Sequence, residues 1–569
     1  MEKEKFFGTK GSIIFFFVTT VFMVILWYFL IPALNIESIG TQALILAYLL
    51  IMSSRFWPSL DAIWEPSYKY EKFAHLLSIL SIAWFAIFLV LDIASSAMFQ
   101  AQTAYSIAET ECVSNIDEVL TDTTENSRNL PLIDMNTAQM LGDKKIAELK
   151  NASWYEVDSE YNLIEYHGQY YRLSALDYGG FWKFNKAKAS GIPGYVLVPA
   201  TIENGVTKEA ELVTLTDPIR YSPGAFWSYD LRRHLRMQYP TYMFDTSFLE
   251  IDEEGTPFWV TGVMRPKTIF GTRTVESFIL TNAQTGTSAE YSTNNAPEWI
   301  DHIYSLDYLM KIANWHYSYG NGFWNSVFSK TGVLKTSYEY RDKESSENNS
   351  EFANFFGYSS VVDANGNVCF YTGLTGANTA ESNRGWLIID ISTGRMRQYD
   401  VVGAEESSAQ QQVESLVQAQ QWEATFPLPA NIAGNEAYIM CLKGKAGLTQ
   451  AFAICDMKNY SIAVYANTIN EAIEKYLHKI SGDITTSTLD DEVNTTNLGS
   501  TATLTRKIEA IYTAEIDGNT HFYYIIGHDF YRASIKVNEL QIAFKVGDEV
   551  TITYYEDNHN GYYIVKDIK

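Results

Sequence analysis

Asp252, Glu253 and Glu254 form the densest carboxylate group beside a turn, and Asp363-Ala364-Asn365-Gly366-Asn367 offers oxygen ligands in the manner of a calcium loop. An EF-hand loop needs glycine at its sixth position and a bidentate glutamate at its twelfth. Counted from Asp363, Gly366 is fourth and Leu374 twelfth, so both segments read instead as tight hairpin turns in which Asn and Gly accept positive φ. The nine histidines, at 75, 167, 234, 302, 316, 478, 521, 528 and 559, include no pair at metal-ligand spacing with an acidic partner, and H-E-x-x-H is absent. G-x-S-x-G, the P-loop and the dinucleotide-binding glycine fingerprint are absent as well. The sequence therefore assigns no catalytic, metal or cofactor-binding residue and calls for no cofactor. A dispersed carboxylate pair acting on wall polysaccharide stays open as an alternative.

Binding chemistry has more candidates. Arg232, Arg233 and Arg236, with His234, are the one strongly basic cluster outside the apolar segments. They read either as a solvated helix face or as a dock for acidic polymer or phospholipid headgroups. Tyr523, Tyr524, Tyr554 and Tyr562 read as one aromatic face of the last module, or else as its interior packing. Cys441 and Cys455 flank a turn near Gly447 and stand where a hairpin would bring them face to face, as a disulfide or as two buried thiols. Asp92 lies inside an apolar run, where a carboxylate is either functional or close enough to the interface to reach water.

The elements that would position these residues begin with an anchor. Ser12 to Leu34, Ile39 to Ser54 and Ala74 to Met98 are apolar runs, read as three transmembrane helices, the second short for a span. Lys3, Lys5 and Lys10 precede the first and Arg55, Lys69 and Lys72 separate the second from the third, which places both basic groups in the cytoplasm and everything beyond Met98 outside. A cleaved signal peptide is the competing reading; the length of the first run and the spans that follow argue against it. The formal charge of −25 excludes nucleic acid as a partner, and four cysteines in 569 residues make no disulfide framework. The expected partner is another envelope or membrane protein, with the oligomeric state left open.

Beyond the anchor (1–99), residues 100–130 read as an acidic spacer and 131–239 as a first α+β unit, with a helix capped by Asp134 and a hairpin at His167-Gly168. Then the chain repeats itself. Ile251-Asp252-Glu253-Glu254-Gly255-Thr256-Pro257-Phe258-Trp259-Val260-Thr261-Gly262 aligns without a gap to Val362-Asp363-Ala364-Asn365-Gly366-Asn367-Val368-Cys369-Phe370-Tyr371-Thr372-Gly373. Each copy is followed by an apolar strand ending in a Thr-Gly turn, at Thr285-Gly286 and Thr393-Gly394, and a looser third copy starts at Gly434. These give units at 240–345, 346–425 and 426–480, with helices expected at Pro297 to Trp315 and Glu405 to Trp422. A polar linker (481–502) leads to alternating strands at 503–569 that suit a small OB-like or SH3-like β-barrel. The fold class is α+β with antiparallel sheets.

The repeat, with a helix before two turn-linked strands and an apolar strand ending in Asn282-Ala283-Gln284-Thr285-Gly286, resembles the PepSY-type domain of bacterial envelope proteins. The chain as a whole resembles multi-span bacterial membrane proteins of this layout. The resemblance covers about half of the region beyond the anchor. It implies a membrane-tethered module concerned with restraint of proteases or envelope sensing, located in the bacterial cytoplasmic membrane, with no catalytic residues. The expected function is a non-enzymatic, membrane-anchored interaction scaffold; the rivals are the wall-active enzyme and a structural subunit of a larger membrane complex.

Overall fold

The computed structural model describes residues 9–54, 69–126, 130–203, 206–268, 271–338, 357–377, 379–401, 403–481, 501–516, 519–559 and 562–569. The loop expected at Arg341 to Ser350 and nearly all of the linker expected at 481–502 fall outside these residues. The chain divides into two compact units, Met1–His478 and Lys479–Lys569.

Three apolar helices open the first unit: α1 (Thr9–Leu30), α2 (Ile39–Ser54) and α3 (Lys69–Ala94). Leu76–Ala94 within α3 is long and apolar enough to cross a membrane, whereas Ile14–Leu30 and Ile39–Ser53 are shorter apolar stretches. The first run ends earlier than its composition implies, because Ile31 takes a left-handed φ of 43° and Pro32 cannot continue a helix. The connector that follows is fastened to residues 230–273. Leu34 N donates to Pro240 O at 2.7 Å, and Arg273 Nη2 to Glu37 O at 3.1 Å.

Residues 100–130 are more than a spacer. Helix α4 (Ala97–Tyr105) buries Ala101 and Ala104, and β1 (Thr110–Val113) joins a sheet further along the chain.

Four helix-then-sheet modules follow. In module 1, α5 (Met135–Ile146) precedes β2 (Tyr155–Val157), β3 (Asn162–Tyr166), β4 (Gln169–Tyr178), β5 (Ile192–Pro199) and β6 (Glu211–Ile219). In module 2, α6 (Leu231–Gln238) precedes β7 (Met243–Ile251), β8 (Pro257–Pro266), β9 (Arg273–Asn282) and β10 (Ser288–Ser292). In module 3, α7 (Leu306–Tyr319) precedes β11 (Leu334–Thr336), β12 (Ser359–Val362), β13 (Val368–Gly376), β14 (Thr379–Asp390) and β15 (Met396–Tyr399). In module 4, α8 (Glu406–Leu416) precedes β16 (Glu423–Ala424), β17 (Leu428–Ile432), β18 (Asn435–Lys443), β19 (Thr449–Asp456) and β20 (Ala463–Ala466). Every sheet has the same antiparallel order: first strand, second, third, fourth. The first strand is split in two in modules 1, 3 and 4 and continuous in module 2.

Side chains enforce the repetition at the turns. Asp252 Oδ1 accepts from the amides of Glu254 and Thr256, and Asp363 Oδ1 from those of Asn365 and Asn367. At the next turn Asn282, Asp390 and Asp456 do the same work, accepting from Thr285, Thr393 and Asn459. Phe258, Cys369 and Ala437 pair with those three residues, so Trp259, Phe370 and Tyr438 occupy equivalent places one residue on. The third hairpin departs from expectation. Gly255 and Gly366 sit in five-residue connections, but Ile432 pairs directly with Asn435, so Gly434 lies in a two-residue turn with Ala433. Both turn residues have positive φ there, as at His167-Gly168, which makes the turns of modules 1 and 4 the matching pair.

Modules 2 and 3 share a core. Phe278 and Leu280 pack through Leu309, Met310 and Ala313 of α7 to Leu387 and Ile389, all buried. A helix α9 (Ile469–Ile480) follows module 4 and spans the boundary between the two units at His478.

The second unit is a six-stranded sheet of β21 (Thr501–Lys507), β22 (Ala510–Ile516), β23 (Asn519–Ile526), β24 (Asp529–Ser534), β25 (Glu549–His559) and β26 (Tyr562–Ile568). Their order is β21-β25-β26-β24-β23-β22. No ladder joins β21 to β22 among the described residues. They are consecutive in the chain across Ile508-Glu509, where Ile508 N donates to Asp548 O and Glu509 N to Ile525 O, so the two ends of the strand order are joined through one corner of the chain, and β24 runs parallel to β26. Its core is Phe522, Tyr524, Tyr531, Val550, Ile552 and Val565.

Candidate functional site

Module 1 meets modules 3 and 4 along β4, and two adjoining cavities open there. The smaller, about 70 Å³, is lined by Leu132, Met135, Phe426 and Ile439 with Arg172, Ser359 and Ser360 as its polar wall. Arg172, on β4, is buried; its Nε donates to Ile133 O at 3.0 Å and its Nη1 to Tyr161 O at 3.4 Å and Ser360 Oγ at 3.2 Å. Burial lowers the pKa of the guanidinium, and among the described residues no carboxylate pairs with it. The nearby Asp134, which caps α5 by accepting from Thr137 N, is bound to Lys443 at 2.6 Å instead. The Ser359 hydroxyl is buried without a hydrogen-bond partner among the described residues. Asp134 lines the cavity as well, so a cation, a carboxylate and a hydroxyl face an apolar lining with room for water.

The larger cavity, about 330 Å³, is lined by the Asp363–Gly366 turn together with Asp122, Asn431 and Tyr170. Asp363 is buried and paired with Arg397, whose Nη1 also donates to Glu118 O at 3.2 Å. Tyr170 donates to Gly366 O at 3.1 Å. These bonds stiffen the cavity wall and leave no oxygen cage: among the described residues no group of three His, Cys, Asp or Glu could hold a metal.

A second polar junction was not legible in the sequence. Glu250 on β7 and His302 ahead of α7 are both buried, with Glu250 Oε1 at 2.8 Å from His302 Nδ1 and accepting from His302 N at 3.1 Å. Asp301 beside it accepts from Glu165 N of module 1 at 2.6 Å. Burial pushes Glu250 well up and pushes Asp301 up to about 8. Burial holds His302 down to about 4. Glu250 and His302 therefore share one proton as a neutral pair rather than standing as an ion pair in a low-dielectric site. Sequence gave no sign of this, because its members lie 52 residues apart and none belongs to a motif.

The residues singled out from sequence are dispersed. Arg236 is buried and donates to the carbonyls of Ile31, Tyr239, Pro240 and Tyr242, with burial pulling its pKa down to about 10. Arg233 donates to Trp227 O and reaches Tyr28 O, its guanidinium 5.0 Å from the Tyr28 ring. Both clamp module 2 onto the end of α1, and Arg232 alone of the three is exposed. The four tyrosines do not share a face, since neighbours on a strand point to opposite sides. Tyr524 is buried in the core and Tyr554 packs against Tyr531 and Tyr563, whereas half-buried Tyr523 meets Tyr562 edge-on at 5.8 Å beside Arg532. Cys441 pairs with Phe452 and Cys455 with Tyr438, so the two thiols are out of register; both are free and buried. Asp92 is exposed near the C-terminal end of α3.

The sheet edges show what the backbone can do. β1 lies parallel to β15, from Thr110 opposite Met396 to Val113 opposite Tyr399, and so extends the outer edge of module 3. The equivalent outer strands β6, β10 and β20 pair with no further strand on that side among the described residues. Compared with known proteins, the chain matches no family model and no curated protein.

Proposed function

We propose that the chain is a non-enzymatic, membrane-anchored scaffold whose sheets take up an extended segment of another envelope protein by strand addition. The observation that carries this is β1 on β15: the chain performs the reaction on itself at one edge, and free backbone groups at an equivalent edge offer a partner the same ladder. β10 (Ser288–Ser292) is the best acceptor, with four of its five residues exposed. The resemblance of the repeat to PepSY-type domains supports a role in restraining a protease or sensing the envelope. The apolar Leu76–Ala94 stretch supports anchoring, with the basic segments at 3–10 and 55–72 on the cytoplasmic side. Tyr523 and Tyr562 of the second unit would supply a further contact.

Photo-crosslinking groups at Ala289 and Tyr291, compared with one at Gln398 on the covered β15, test the proposal in intact membranes. A discrete adduct from β10 and none from Gln398 is expected. Equal labelling at both edges, or none at β10, overturns it.

A further inference from the structure

We infer that an aromatic and basic patch on modules 1 and 2 rests on an anionic phospholipid bilayer, the one in which the apolar helices are anchored; the inference rests on that anchoring. The short helix Phe181–Ala187 presents Trp182, 79% exposed, and the cations Lys183, Lys186 and Lys188, all exposed. Phe181 packs edge-on against Phe226 at 5.2 Å and Trp227 at 6.1 Å, which joins this helix to the segment leading into α6 and to exposed Arg232. Trp227 is 44% exposed and holds a left-handed φ of 61°, a costly conformation for so large a side chain.

Position identifies the occupant. Trp227 O accepts from Arg233 at 3.1 Å, and the same guanidinium lies over Tyr28 in the last turn of apolar α1. The exposed tryptophans therefore stand beside the place where α1 leaves an apolar phase, which is the depth that tryptophan prefers. Four exposed cations around them, on a chain of net charge −25, match the anionic headgroups of that layer rather than the acidic remainder of the molecule. Arg233, Arg236 and Arg273 fasten module 2 to the end of α1 and its connector on one side of the modules only. A second foothold fixes their height and tilt over the bilayer.

Spin labels on the full chain in nanodiscs test this, with Cys112→Ser removing the exposed native thiol. Labels replace Lys186, Tyr460 of module 4 and Ile82 of α3 in turn, and collision with oxygen against a water-soluble nickel chelate reports immersion. In phosphatidylcholine containing phosphatidylglycerol, Lys186→Cys is expected to lose nickel accessibility to an intermediate degree, while Tyr460→Cys stays aqueous and Ile82→Cys is immersed. The Trp182→Ala, Trp227→Ala pair should restore nickel accessibility at position 186 and leave 82 unchanged, and so should pure phosphatidylcholine. An aqueous label at 186 with an immersed label at 82 overturns the patch alone. An aqueous label at 82 overturns the anchor on which it rests. Immersion at 186 that ignores headgroup charge overturns the anionic assignment.

Discussion

Two copies of one turn, at Asp252–Thr256 and Asp363–Asn367, have the same backbone and different surroundings. In both, the first Asp caps the loop through Oδ1, its amide donates across the loop, and the glycine has φ of 77° or 88°. In both, a module 1 tyrosine hydroxyl donates to the glycine carbonyl, Tyr195 to Gly255 at 2.9 Å and Tyr170 to Gly366 at 3.1 Å. Yet Asp252 is half-buried, whereas Asp363 is buried against Arg397 and walls a cavity. The local Asx geometry specifies the turn, and the neighbouring modules decide whether its carboxylate becomes part of the interior.

The sharpest break should come from Arg397→Met, which leaves Asp363 buried with no cation; about 3–5 kcal/mol is expected for such an orphaned charge. Asp252→Asn keeps the acceptor oxygen and should cost under about 1 kcal/mol. Urea unfolding of the two variants measures the contrast, and equal losses would mean that the surroundings do not matter.

Next comes pH, where the junction around Glu250 and Asp301 lacks the cation that Asp363 has. Asp301 is raised from 3.8 to about 8, so its folded form keeps a proton that the unfolded chain gives up near pH 4. Its contribution to stability is complete below that pH and is lost as pH rises towards 8. His302, lowered from 6.5 to about 4, works in reverse: its contribution is present above 6.5 and is lost as pH falls through 4. The two slopes oppose one another between 4 and 6.5, and above 6.5 Asp301 and Glu250, both raised, act in the same direction. Asp301 by itself should lower stability between pH 6.5 and 8 by up to about 2 kcal/mol, from ~1.4 kcal/mol per pH unit for one proton. Denaturation midpoints across that range check it, and Asp301→Asn should remove the share of the slope that belongs to Asp301.

How far the fold was legible follows from the same two turns. Asp and Gly at matching places in the turn, with Thr-Gly at matching places in the strand after it, made modules 2 and 3 visible as a repeat, and alternation placed Trp259 and Phe370 correctly. Module 1 has the same strand order but turns at His167-Gly168, a two-residue loop with no aspartate to align, so its kinship is written in topology alone. The strand at Thr110–Val113 was missed because a four-residue edge strand is specified by the sheet it joins rather than by its own pattern. Arg236 looked like surface because sequence shows a charge and cannot show the four carbonyls that converge on it. The cavity at Arg172 gave no sign for the same reason: its walls come from three modules.

A smaller effect tests whether the two glycines are equivalent. Gly255→Ala and Gly366→Ala each force an L side chain into positive φ, at about 1 kcal/mol or somewhat more. A Cβ on Gly255 would also lie 3.1 Å from the Tyr195 hydroxyl, against 3.5 Å from Tyr170 for Gly366. Thermal melts should rank Gly255→Ala as the worse of the pair. The reverse order would place the constraint in the cavity wall.

The smallest contrast concerns those hydroxyls. Tyr195→Phe removes the donor to Gly255 O from a fully buried side chain, where nothing else on that tyrosine can replace it, so about 1 kcal/mol should be lost. Tyr170 is half-buried and its bond to Gly366 O borders the larger cavity, where water can take over the donation. Tyr170→Phe should therefore cost only a few tenths of a kcal/mol. Paired urea titrations of the two variants read the difference directly. If Tyr170→Phe proves as costly as Tyr195→Phe, then water does not substitute at Gly366, and that hydroxyl belongs to the fabric holding module 1 to module 3 in the way Tyr195 holds it to module 2.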